Sequence, residues 1–244
     1  MPIDTEIYTH PDWAKDHLTC YLKTSYNNQV ATFANFRDQA RDVVEIDRIF
    51  FKLLSDVVDP KPLYPYDFLT RGHSAFMAAS GATMAGQIFE AQCQLRLCLE
   101  NAAYAFHILD NRDLWEKWMA RHDSKRCLEN VRKEFSFGNV SRSIKEVRPE
   151  IAGAFVELYD RCIDFGAHPN ERGFTSNRKI VDQEDGSKRF LNTYLNCAED
   201  MMQFGLRTLC QVGLISFAIA REIYPEWVAR KGLNSSFEEM AKRY

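Results

Sequence analysis

Arg161 and His168, seven positions apart in Arg-Cys-Ile-Asp-Phe-Gly-Ala-His, are the residues of this chain whose types and spacing most readily suggest chemistry. Arginine presents a fixed fork of N–H donors, and histidine is the side chain that gains and loses a proton near neutrality. Both fall at the end of a segment with a clear helical period. Ile151, Ala154, Phe155, Leu158, Cys162 and Phe165 share one apolar side, while Glu157, Arg161, Asp164 and His168, at offsets 0, 4, 7 and 11, form a polar stripe beside it. Side chains on one stripe can meet a common ligand. The same stripe also reads as a solvated face with a Glu157–Arg161 pair at i,i+4 and a histidine in the C-terminal turn, where the helix dipole favours its charged form. Gly166 and Pro169 indicate that the helix ends near Ala167.

Other chemistries lack their signatures. The sequence holds no Gly-x-Gly-x-x-Gly, no P-loop, no His-Glu-x-x-His, no Gly-x-Ser-x-Gly and no EF-hand loop. None of the six histidines follows a glutamate by three residues, so the Glu-x-x-His ligation of di-iron bundles is missing and no metal or cofactor is expected. The seven cysteines are scattered, odd in number and without a Cys-x-x-Cys pair, which argues against a zinc ribbon or a disulfide scaffold. A second polar pair, Arg96 and Glu100, lies i,i+4 apart on a leucine-rich segment and reads as a buried ion pair crossing to the motif helix or as a surface pair.

The elements that must position these residues are helical. Thr9 and Asp12 offer caps for a first helix carrying Trp13, Leu18, Tyr21 and Leu22, with Ser25-Tyr-Asn-Asn as an interruption. A long amphipathic helix is expected from Gln29 to Val57, stopped by three prolines between Asp59 and Pro65. A second long helical region runs from about Tyr66 to Leu109. The Ala-, Ser- and Gly-rich half of it, Ser74 to Gly86, suits close interhelical packing. Shorter helices follow at Arg112 to Arg121 and Ser124 to Phe135, with Phe137-Gly-Asn as a break, and then the helix from Ile151. Glu184-Asp-Gly-Ser between alternating flanks predicts a small β-hairpin within 174–195. Ala198 to Tyr224 is a strongly apolar helix ending near Pro225, and Ser235 with Glu238 suggests a capping box for a last helix. The expected architecture is one all-α domain over 1–244, a bundle of long antiparallel helices with a hairpin insertion.

At 244 residues, 45% hydrophobic and 27% charged, the chain has the composition of an ordinary globular protein. Charge-free stretches are too short or too diluted to predict a membrane span, and Met-Pro-Ile-Asp-Thr-Glu has no features of a secretory signal; the cytosol is the expected compartment. The net charge of −3 lacks the footprint of a dedicated nucleic-acid binder. Between Arg112 and Arg148, however, ten basic residues face six acidic ones, which reads as a solvated helical face or as a phosphate-facing surface. Trp115, Trp118 and Trp227 could stack bases or fill core.

An arginine followed a few residues later by histidine near the end of a helix, in an all-α domain, resembles the motif of the HEPN superfamily. The text around it is similar to uncharacterised bacterial HEPN-like proteins, with Arg96-Leu-Cys-Leu-Glu100 on a central helix and Tyr159 followed by His168-Pro169-Asn170. The likeness spans roughly Gly72 to Glu171. It implies a homodimer, without a membrane role, in which the Arg and His of two protomers face one another and cleave RNA without metal, in a defence or toxin setting. Arg161 would hold the scissile phosphate, His168 would act as general acid or base for attack by the 2′-hydroxyl, and Asp164 would orient it. Arg96, Glu100, Glu157 and Asn170 would support the site. In active members the residue after the arginine is often polar, and here it is Cys162. The alternatives are a catalytically inert helical interaction or dimerisation module and a small-ligand-binding bundle.

Overall fold

The protein, seen in a computed structural model, is described over residues 10–57, 60–109, 111–169 and 171–244, apart from the side chain of Phe174. Its elements are α1 (His17–Asn35), α2 (Arg37–Leu54), α3 (Tyr64–Met84), α4 (Ile88–His107), α5 (Arg112–Met119), α6 (Lys125–Glu134), α7 (Phe137–Val147), α8 (Pro149–Cys162), α9 (Glu171–Thr175), β1 (Arg178–Asp182), β2 (Lys188–Asn192), α10 (Glu199–Ile223), α11 (Pro225–Arg230) and α12 (Asn234–Ala241). This is the all-α bundle expected, and the two strands pair antiparallel in register Arg178 with Asn192 through Asp182 with Lys188.

α10 is the axis of the core. Leu206, Leu209, Cys210, Val212, Phe217 and Ala220 are fully buried on it, and α2, α3, α4 and α8 pack around it. By length and composition α10 could cross a bilayer, but most of its apolar stretch is buried inside this fold. Gly213 explains how tightly the layers close. A Cβ there would stand 2.7 Å from both Ile46 Cγ2 and Phe76 Cε2, so α2 and α3 approach a bare backbone.

Two long helices expected from periodicity are each divided. The first breaks at Phe36 (φ −110°, ψ 51°), not at Ser25–Asn28. Ser25 is buried and Asn28 donates to the Ala85 carbonyl, so tertiary contacts carry the helix through residues of weak propensity. The second breaks at Gly86, whose φ of +88° supports a Schellman ending: Gln87 N–H donates to the Ala82 carbonyl and Gly86 N–H to that of Thr83. The result is an α3–α4 hairpin within the stretch that reads as one long helical region. The Phe137-Gly-Asn break lies earlier, at Phe135–Ser136, and α7 begins on Phe137. Asp16, not Asp12, caps α1 by accepting from Thr19 N–H, and the Thr9 cap falls outside the described residues. The Ser235–Glu238 capping box does not form, since α12 starts at Asn234 without a side-chain cap.

His107, near the C-terminal end of α4, gives the fold a pH dependence. Its Nδ1 lies 3.1 Å from Ser143 Oγ, its Nε2 is buried with no well-formed hydrogen bond among the described residues, and burial, opposed more weakly by Glu134, holds its protonation below the usual histidine range. The unfolded chain binds that proton from about pH 6.5 downward while the native site resists it, so the native state loses stability as pH falls through about 6.5 toward the depressed value. Urea midpoints measured across this window should therefore fall more steeply for wild type than for His107→Gln. Parallel slopes would remove His107 from the account.

Candidate functional site

α8 delivers the motif to the surface of α4. Its apolar face is buried as the sequence predicts, with Phe155 and Cys162 nearly or fully inaccessible. Beyond Cys162 the chain widens into a π turn, Ile163–Ala167, in which Phe165 (φ −111°) and Gly166 (φ +146°) leave helical geometry. Gly166 lies against the first turn of α4: a Cβ there would stand 2.2 Å from the Phe89 carbonyl oxygen, and the Cys93 thiol donates to the Gly166 carbonyl at 3.5 Å. Phe165 packs on Phe204 of α10, with ring centroids 4.7 Å apart, and Arg172 covers its ring. His168 is therefore in extended backbone (φ −135°, ψ 152°) and no longer follows the stripe of α8.

The turn carries His168 to Arg96. Arg96 Nη1 lies 2.9 Å from His168 Nε2, and because a guanidinium only donates, the imidazole nitrogen is the acceptor. The same guanidinium donates through Nε to Glu100 Oε1 at 2.9 Å and lies 5.0 Å above the Tyr159 ring. Tyr159 OH donates to that Glu100 oxygen at 3.1 Å, and Phe137 stacks on the phenol ring at 4.3 Å. Burial works against the charge on Arg96, but Glu100 and Tyr159 outweigh it and hold its protonation above the usual arginine range. Burial, then the Glu100 charge, push the Tyr159 phenol up to about 12, so it remains a donor. The Arg96 and Glu100 side chains are about one quarter exposed, and His168 is exposed. A depression of about 420 Å³ lies on the His168 side, bordered by Phe89, Glu90 and Cys93, and one of about 210 Å³ lies on the Arg96, Glu100 and Tyr159 side.

Arg161 faces elsewhere. Its Nη1 donates to Gln211 Oε1 of α10 at 2.6 Å and its Nη2 to Glu157 Oε1 at 2.7 Å. Gln211 Nε2 in turn donates to the Tyr244 carbonyl, and Tyr244 OH to buried Asp42, which Arg243 also pairs at 2.8 Å. This chain of bonds ties α8 and α10 to α2 through the C-terminal residues. The i,i+4 pair of Glu157 with Arg161 is thus present, but Arg161 and His168 belong to different polar groups. Asp164 is exposed in the π turn, and Asn170 lies outside the described residues.

Tyr159 stands in the sequence motif without an assigned part, and the structure gives it one. The signal was its position nine residues before His168 with Arg96 and Glu100 elsewhere, which becomes informative only when α4 and α8 are known to be neighbours. Trp115 and Trp118 pack into an aromatic cluster with Tyr64, Phe68, Tyr104 and Phe135, and Trp227 stacks on Tyr224. Burial pushes the thiols of Cys98, Cys162 and Cys210 up to about 12, disfavouring the thiolate. Among the described residues, no three His, Cys, Asp or Glu side chains gather as metal ligands would. Comparison of the chain with models of protein families, with curated proteins and with solved structures finds no match in any of the three.

Proposed function

We propose that this chain is a HEPN-like helical protein that binds RNA and cleaves it without a metal ion, using Arg96, rather than Arg161, as the partner of His168. The observation that carries this reading is the 2.9 Å contact between a charged guanidinium and an imidazole nitrogen at an exposed rim. A phosphodiester arriving there would replace the imidazole as acceptor of the Arg96 donor and release Nε2 for proton transfer. His168 would take the proton of the 2′-hydroxyl, the 2′-oxygen would bond to phosphorus, and the P–O5′ bond would break, with the 5′-oxygen protonated from water. Glu100 and Tyr159 would hold the guanidinium in place during that step. The 2′-hydroxyl is the nucleophile, which makes RNA and not DNA the substrate.

A second reading, a catalytically inert helical interaction module, draws support from the same place. Glu100 already neutralises Arg96, and Glu90 borders the adjacent depression. The polar cluster then serves to fasten the π turn to α4.

Incubation with a panel of single-stranded RNAs in EDTA separates the two. Cleavage to 2′,3′-cyclic phosphate ends is expected, absent when the nucleotide at the cut carries 2′-deoxyribose and absent in His168→Ala. Failure of wild type to bind or cut any RNA of the panel would leave the inert module as the better account.

A further inference from the structure

α1 is mounted inside out. Its body-facing side is polar or small: Ser25 and Thr32 are buried, Thr32 Oγ1 donates to the Met84 carbonyl, Asn28 donates to that of Ala85, and Tyr21 OH accepts from Gln87. Its apolar side chains lie exposed on a flank, about 110° round the helix from the buried side. Trp13, in the turn before α1, and Leu18, Leu22, Tyr26, Val30 and Phe33 on it are between 42% and 62% exposed. From Leu18 onward they recur every three or four residues, which places them within an arc of about 120° on one helical face.

We infer that the outer face of α1 is the contact between two copies of this chain, paired antiparallel about a two-fold axis near Tyr26. Six large apolar side chains, each about half exposed, offer on the order of 600–700 Å², close to the roughly 800 Å² per partner of a standard interface and beyond what a free monomer usually displays. The charge pattern selects the partner and its direction. Within His17–Asn35 there is no acidic residue and one lysine, Lys23, at the edge of the face, where its long side chain can turn to solvent, so the surface meets itself at a two-fold with little like-charge repulsion. The preceding segment carries Asp12 and Asp16 against Lys15, and the segment after α1 exposes Arg37 and Arg41 against Asp38, with the next acid, Asp42, buried against Arg243 and Tyr244. Antiparallel pairing brings the acidic end of one copy to the basic end of the other; parallel pairing would set like ends together. The register sets Leu22 against the partner copy's Val30 position and Leu18 near its Phe33 position. A membrane surface suits this face poorly, because a helix that lies on lipid carries several basic residues flanking its apolar side. This inference stands apart from the RNA reading, since it uses none of the residues of that site.

Sedimentation equilibrium of the full chain at tens of micromolar should give twice the monomer mass, and Tyr26→Glu combined with Val30→Glu should give the monomer mass with unchanged far-ultraviolet circular dichroism. In a Cys20→Ser background, Tyr26→Cys should form a disulfide-linked dimer on oxidation. Leu18→Cys alone should not, whereas Leu18→Cys mixed with Phe33→Cys should. A monomeric wild type, a dimer that survives the double glutamate change, self-linking of Leu18→Cys, or co-sedimentation of wild type with phosphatidylcholine vesicles would each overturn the assignment.

Discussion

Alanine at Arg96 is expected to reduce RNA cleavage by about 10²–10⁴-fold, whereas alanine at Arg161 leaves the cleavage rate within about threefold and lowers stability by about 1–3 kcal/mol. The two arginines differ in what their forks are committed to. Arg96 shares its guanidinium between a carboxylate and an imidazole at an exposed rim, where an incoming phosphate can displace the neutral acceptor without breaking the Glu100 pair. Arg161 is spent on Gln211 and Glu157, and displacing Gln211 would also loosen the bonds that continue to Tyr244 and Asp42. Its pair with the largely exposed Glu157 contributes little, so most of the stability loss comes from the charged bond to Gln211. Arg96→Lys should keep RNA binding in part but lose most of the cleavage, because an ammonium cannot bridge Glu100 and phosphate in one plane. Equilibrium urea denaturation and single-turnover cleavage, measured on the same preparations, report the two effects separately. Loss of cleavage in Arg161→Ala with Arg96→Ala unaffected would return the chemistry to the pair of Arg161 and His168.

The parts of this architecture that were legible in the sequence are those fixed by local chemistry. Ile151, Phe155, Leu158 and Cys162 declared the buried face of α8, Glu184-Asp-Gly-Ser declared the hairpin, and the apolar run after Ala198 declared the central helix. What escaped depends on contacts far along the chain. The run Ser74 to Gly86 reads as continuous helix because alanine and serine permit one, and only the Schellman bonds at Gly86 end it there. The position of Arg161 depends on Gln211, fifty residues away, which no periodicity in α8 can reveal. Counting at 100° per residue sets His168 on the stripe, a rule that fails at the π turn. For α1 the period was visible but its direction was not. Amphipathic periodicity turns the apolar side of a helix toward the bundle, and here Ser25 and Thr32 face it instead, held by bonds to the end of α3 that no local pattern reveals.

Gly166→Ala is expected to lower stability by about 2–4 kcal/mol and to abolish cleavage with Arg96 and His168 both still present. Two separate costs meet at this residue. A φ of +146° lies in a region that an L side chain rarely adopts, and the added methyl would stand 2.2 Å from the Phe89 carbonyl oxygen. The obstacle is backbone at the start of α4, a helix whose next turns are core, so α4 does not yield. The cheaper relaxation is for the π turn to lift away from it. That movement breaks the Cys93–Gly166 bond, disturbs the stacking of Phe165 on Phe204 and withdraws His168 from Arg96. The total cost is then capped by what the turn loses, and the core of α4 keeps its protection. Hydrogen exchange should accelerate across 163–169 while amides of Leu95 to Ala105 remain as slow as in wild type, scaled only by the global loss. Gly153→Ala is the control on the same helix. Among the described residues nothing lies within 4 Å of its Cβ position, and the change should stabilise α8 by up to about 1 kcal/mol. Should Gly166→Ala match Gly153→Ala in stability, the close approach of the π turn to α4 would have no energetic weight, and the placement of His168 beside Arg96 would lose its support.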